Sequence, residues 1–303
     1  MSLTAILLVL LSASIHAGWN LISKRQHPSA AFFLIAALSG GLFLAPVLWV
    51  HHEVLFHQMP LRVWIYIGIT GAFLALYFSG LAGAYRSGDM SVAYPIARSS
   101  PVIVVLAVAI VLGRGDQVST VATAGLFVVV AGCFLIPLRH FRDFNIVRYW
   151  NPTCAFALLA ALATAGYSIT DDEALRLLRS QPDFELGTIQ SALLYGSLEF
   201  ISASLWLAIF IGFRKKERDY FRKVCCKEKR IAMASGLAIV LSYIFILMAF
   251  SHADNVSYVV GLRQLSIPLG ALIAVVFLGE PANPPKWTGV CVMFLGLVMV
   301  AMG

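Results

Sequence analysis

Ten stretches of this chain are each apolar for about the length needed to cross a bilayer, and this constrains the fold more than any motif. They lie near residues 3–23, 30–50, 62–84, 91–112, 118–137, 152–170, 187–213, 231–250, 256–278 and 286–302. A helix rises about 1.5 Å per residue, so about 20 apolar residues cross a hydrocarbon core of about 30 Å. The stretches are too long and too continuously apolar for barrel strands, which alternate over about ten residues. A helix also satisfies its own backbone hydrogen bonds in lipid. Only 12% of the 303 residues are charged, against about 25% in a soluble domain. The expected class is therefore an all-α integral membrane protein with ten transmembrane helices.

The first stretch is read as a retained helix, because Met1 to Ile15 contains no Lys or Arg and so lacks the basic start of a signal peptide. The five cysteines form no disulfide framework. Cys133, Cys154 and Cys291 lie in or at the ends of spans, and Cys225-Cys226 sits in a basic loop.

Residues 1–150 and 151–303 each hold five spans, and landmarks recur in order between them. Ala17-Gly18-Trp19-Asn20 matches Ala165-Gly166-Tyr167-Ser168, Asp89 matches Asp254, and Arg98 matches Arg263. Gly125, Val128 and Gly132 match Gly289, Val292 and Gly296. Five is odd, so the second half must enter the membrane from the opposite side. Two inverted five-helix repeats are expected, the common build of secondary transporters. The matched glycines lie two turns apart on one helix face, where small residues let helices approach closely.

Orientation follows from the basic residues. Of the 22, Arg98 and Arg263 lie within spans, and Arg62, Arg114, Arg176 and Arg179 lie in the even-numbered loops. The other 16 fall in the odd-numbered loops, most densely over 214–230. The positive-inside rule puts loop 214–230 in the cytoplasm and both termini outside. Anionic headgroups account for that basic loop, so no nucleic-acid partner is expected.

Polar residues inside spans are the functional candidates. Arg98 and Arg263 lead, each a fixed cation within an apolar stretch. Even a lenient insertion scale charges about 2.5–3.5 kcal/mol for a guanidinium at the bilayer centre. Tyr94 and Ser91 share a helix face with Arg98, and Pro95 and Pro101 bracket it, so a bent or broken helix is expected there. Tyr258 and Ser257 precede Arg263, and Pro268 follows it. Glu199 is taken as the only carboxylate deep within a span. It is expected to bind an amine or carry a coupling proton, with a neutralising salt bridge to Arg98 or Arg263 as the alternative. His16, Trp19 and Asn20 share a face of the first span, as do Thr164, Tyr167 and Ser168 on the sixth. With Tyr77 and Tyr243 they are candidates to line a cavity, core packing being the other reading of each.

The sequence carries no phosphate loop of the form G-x-x-x-x-G-K-[ST], no H-E-x-x-H and no Cys-x-x-Cys. No nucleotide, metal or other cofactor is implied.

The whole chain resembles the drug/metabolite transporter superfamily, specifically the EamA-type proteins with ten helices in two repeats. The resemblance is carried by Leu278-Gly279-Glu280-Pro281, Trp287-Thr288-Gly289 and Gly296, and by Leu112-Gly113-Arg114 with Gly125 and Gly132 in the first half. His16-Ala17-Gly18-Trp19-Asn20 is similar as well. Arg114 departs from the pattern, standing where such proteins usually carry glutamate. The resemblance implies a carrier of small organic metabolites, coupled to protons or another gradient, or a facilitator. Ala93-Tyr94-Pro95-Ile96-Ala97-Arg98 is similar to a subgroup associated with phosphonate use.

Two arginines suit oxyanions through forked hydrogen bonding. An anionic or zwitterionic cargo is therefore expected, such as an amino acid or aminophosphonate, moved by a monomer or homodimer in a bacterial inner membrane. A membrane-embedded lipid-modifying enzyme, an exporter of cationic or apolar drugs and a regulatory scaffold are the alternatives. Turnover of a lipid without a closed vesicle would mark the enzyme, and loss of function on deleting 214–230 would mark the scaffold.

Overall fold

The computed structural model describes residues 1–24, 29–87, 90–136, 138–143, 151–182, 184–278, 281 and 283–303, without the side chains of 20–24, 85, 90–98, 274, 277 and 278. All regular structure among these residues is helical. The helices are α1 (Leu3–Lys24), α2 (Ala30–Val50), α3 (Leu61–Ser87), α4 (Met90–Val111), α5 (Thr120–Leu135) and α6 (Pro152–Arg179). After them come α7 (Thr188–Phe213), α8 (Lys215–Lys223), α9 (Lys229–Phe250), α10 (Val256–Leu262), α11 (Ser266–Leu278) and α12 (Pro284–Met302). Seven helical segments among the described residues are long and apolar enough to cross a membrane. Leu3–Trp19, Ser99–Val111 and Thr120–Leu135 are shorter apolar ones. Leu42, Phe43, Trp49, Leu205 and Leu295 are exposed, an outward apolar surface that suits lipid rather than water. The protein is an integral, multi-pass membrane protein.

Local sequence sets the helix starts. Ser29, Ser119 and Asn151 each accept a backbone N–H from three residues ahead, at Phe32, Ala122 and Cys154. These side chains satisfy donors that the first helical turn leaves open. Pro152 then occupies the first turn of α6, where its missing N–H costs nothing.

Helix packing is close. α3 packs on α6, α1 on α9, α5 on α12 and α2 on α7, while α2 also meets α9 and α3 meets α7. The α5–α12 seam is lined by small residues on both sides. A Cβ on Gly125 would meet the Gly296 carbonyl at 2.7 Å, and one on Gly132 would meet the Gly289 carbonyl at 2.8 Å.

Two expectations need correction. The sixth helix does not end near residue 170 but continues to Arg179, so Asp171 and Asp172 lie within it. The acidic run Asp171-Asp172-Glu173 suggests a loop by composition, yet burial and ion pairing hold it in the helix. The second concerns the break allowed for around the proline-bracketed Arg98: Met90–Val111 is one unbroken helix. The interruption lies in the second half, where the turn Arg263–Leu265 separates α10 from α11. Pro268 removes the N–H that would bond the Gln264 carbonyl, and the Ser266 hydroxyl donates to the Arg263 carbonyl at 3.1 Å.

Candidate functional site

Arg263 is placed by that interruption and is buried. Its Nη1 donates to the Tyr167 hydroxyl at 3.2 Å. The guanidinium carbon lies 5.2 Å from the ring centre of Tyr243 and 5.9 Å from that of Tyr167. These distances give cation–π attraction, which is worth most when desolvated. The Nε atom is buried with no hydrogen-bond partner among the described residues.

The aromatic seat extends across helices. Tyr167 of α6 packs edge-on to Tyr243 of α9 and to Tyr77 of α3, with ring centres 5.5 and 5.9 Å apart. On α1, the Trp19 indole N–H donates to His16 Nδ1 at 3.2 Å. His16, Trp19, Tyr77, Tyr167, Tyr243 and Arg263 all border one narrow cavity of about 10 Å³, room for about one water molecule. Through these residues four helices distant in sequence border the cavity that this guanidinium enters.

Beneath this seat lies a residue missing from the sequence-based candidates. Asp171 is fully buried on α6, one turn after Tyr167. Its Oδ1 accepts the hydroxyls of Thr70 at 2.5 Å and Tyr195 at 2.9 Å, and its Oδ2 accepts that of Tyr243. Glu199 is therefore not the only deep carboxylate. The signal was present: Thr164, Tyr167, Ser168 and Asp171 follow i, i+3, i+4 and i+7 spacing on one face. Ending the span at 170 concealed it.

Glu199 on α7 is fully buried, and neither carboxylate oxygen has a hydrogen-bond partner among the described residues. It makes no direct salt bridge to Arg263. Tyr258 does not join the cluster, which corrects its expected place. Its hydroxyl accepts the Ser119 backbone N–H at 3.1 Å and donates to the Gly303 carbonyl at 3.2 Å, tying α10 to the start of α5 and the end of α12. Thr164 turns its hydroxyl to the Ala160 carbonyl of its own helix. The side chains of Arg98, Tyr94, Ser91 and Asn20 lie outside the described residues, as does Asp89.

A second polar cluster lies where both termini emerge. Arg114 bonds Glu173 at 2.7 Å and lies 4.0 Å from Asp172, which also holds Arg176 at 2.9 Å. The hydrogen bond to Glu173 helps hold the Arg114 pKa above its ordinary value. Arg176 donates to the Asp254 carbonyl, and the Met1 ammonium is 3.7 Å from the Asp254 carboxylate. The arginine that departs from the family pattern thus has a carboxylate partner on α6.

Membrane-crossing helices around a buried, hydroxyl-bonded ionic cluster define a class: multi-pass helical membrane proteins with a polar site inside the bundle. More particularly, residues 3–138 match the model of the EamA-like transporter family. That family points to a membrane transporter of small molecules. A solved crystal structure of another protein superposes with a TM-score of 0.67 at 17% identity, covering 98% of this chain and 97% of that one. At this identity the likeness is one of fold. No curated protein matches the sequence.

Proposed function

We propose that the chain is a secondary carrier of small organic metabolites bearing an acid group, anionic or zwitterionic, such as amino acids or aminophosphonates. One observation carries this reading. Arg263 is buried on an aromatic seat beside a cavity, with its Nε still without a partner among the described residues. A guanidinium presents five donors in a fork that matches carboxylate and phosphonate oxygens. Arg98, its counterpart in sequence, is assigned the same role from the first half. Protons are the proposed coupling ion, and the working unit is a monomer or homodimer.

Alternating access follows from ten crossings built as two inverted repeats, 1–150 and 151–303. Packing supports this pairing. Exchanging the halves turns the α3–α6 contact into α9–α1 and the α2–α9 contact into α7–α3, and it leaves α5–α12 and α2–α7 unchanged. The glycines cross over in the same sense, Gly125 facing Gly296 and Gly132 facing Gly289. The basic-residue bias places 214–230 in the cytoplasm of a bacterial inner membrane, with the termini outside.

An exporter of cationic drugs gains support from the two buried carboxylates and the aromatic walls. However, Arg263 lies against Tyr167 and Tyr243 and repels a cation from the cavity they share. The acid-group reading is therefore preferred.

Uptake of labelled 2-aminoethylphosphonate and β-alanine into proteoliposomes under an imposed proton gradient tests it. Arg263→Ala, alone and with Arg98→Ala, should abolish uptake while leaving protein incorporation intact. Uptake unchanged in the double variant overturns the role given to the arginines.

A further inference from the structure

Asp171 and Glu199 are both fully buried beside the Arg263 cavity, Asp171 through its bond from Tyr243 and Glu199 as the chain neighbour of Phe200, and both Tyr243 and Phe200 border that cavity. Yet their hydrogen-bond surroundings are opposite. Asp171 receives hydroxyls from three other helices: Thr70 of α3, Tyr195 of α7 and Tyr243 of α9. A carboxylate has about four acceptor sites, so Asp171 is nearly saturated by the protein itself. One of its donors, Tyr243, presents its ring to Arg263. Another, Tyr195, lies one turn before Glu199 on α7.

Glu199 has no such company. It is fully buried, and both its oxygens are without a hydrogen-bond partner among the described residues. Buried polar groups in folded proteins are almost always satisfied, and an exception calls for a ligand, an ion or a mechanistic role. An ionised carboxylate can only accept, so the partner of that form must donate. An ammonium group offers three donors and a compensating charge.

We propose that the two carboxylates divide the work: Asp171 is a positioning residue that fixes the aromatic seat of Arg263, and Glu199 is the specificity-determining residue that receives the ammonium group of a zwitterionic cargo. This rests on Arg263 as the ligand of the cargo's acid group. It narrows the cargo from acids in general to acids that also carry an amine.

The test uses the purified full chain in lipid nanodiscs and two probe pairs that differ only by an amine: 2-aminoethylphosphonate with ethylphosphonate, and β-alanine with propionate. Binding is read by calorimetry. Wild type should favour the amine-bearing member of each pair by about tenfold or more, as expected for a charge-assisted hydrogen bond. Glu199→Gln should bring that ratio close to one. Asp171→Asn should weaken all four probes alike, by about tenfold, and keep the ratio. If Asp171→Asn fails to fold, Thr70→Val removes one of the three donors and should weaken all four in parallel to a smaller extent.

Amine preference surviving in Glu199→Gln overturns the role of Glu199. Undiminished binding of all four probes in the folded Asp171 or Thr70 variant overturns the role of Asp171. Wild-type binding of the amine-free acids that depends on Arg263 but shows no amine preference overturns this inference and leaves the acid-group reading standing. Failure of every probe to bind overturns both.

Discussion

Replacing Gly296 with alanine tests how tightly the α5–α12 seam is closed. A Cβ at Gly296 would sit 2.7 Å from the Val129 backbone nitrogen and 2.8 Å from the Gly125 carbonyl oxygen. Both neighbours are main chain on α5, so no side chain can swing aside. Ordinary contact begins at 3.4 Å, so the helices must part by roughly 0.7 Å, the difference between 3.4 and 2.7. The seam has little freedom to tilt, because Gly132 and Gly289 are in equally close contact two turns away. Overpacking of this kind costs about 1–3 kcal/mol, and alanine recovers up to about 1 kcal/mol of helix propensity over glycine. A net loss of about 1–2 kcal/mol corresponds to a fall of several °C in Tm. Gly68→Ala on α3 is the matched control, since its Cβ would enter open space among the described residues. It should gain up to about 1 kcal/mol. Thermal unfolding in detergent, followed by tryptophan fluorescence, compares the two. A Gly296→Ala protein as stable as Gly68→Ala would refute the close-packed seam.

Two further outcomes follow from named contacts. Arg176→Ala should destabilise the protein by about 2 kcal/mol, because it strips the nearest partner from buried Asp172. Arg114→Ala should cost under about 1 kcal/mol, since Arg114 and Glu173 are both about a third exposed; the reverse order in a denaturant titration would contradict this. Tyr167→Phe keeps the ring under Arg263 but removes the hydroxyl that accepts from it, so the transport KM should rise about tenfold. An unchanged KM would mean that this hydrogen bond does not orient the guanidinium.

Much of the site was legible from spacing alone. Tyr167 and Trp19 stood at matched positions of two similar segments, and both border the cavity that Arg263 enters. Tyr77 and Tyr243 were polar-tipped aromatics within apolar spans, and they reach the same place. Asp171 was missed because an acidic triplet in a linear sequence suggests water. Only packing reveals that its first member turns toward Thr70, Tyr195 and Tyr243 while its neighbours turn toward Arg114 and Arg176. Tyr258 misled in the opposite direction. Proximity to Arg263 along the chain suggested a shared cavity, but it lies five residues ahead, on a different face and nearer the helix start.

The sequence by itself determined the membrane class, the helical secondary structure and the approximate bounds of the helices. Those properties rest on local quantities: the length of apolar runs, the need to satisfy backbone groups in lipid, and caps such as Ser29 and Asn151. The tertiary structure alone decided which polar residues meet. Thr70, Asp171, Tyr195, Tyr243 and Arg263 are spread over nearly two hundred positions, and no periodicity links them. They come together because close helix contacts bring five separate elements around one buried charge, where each polar group must find its partner inside the protein.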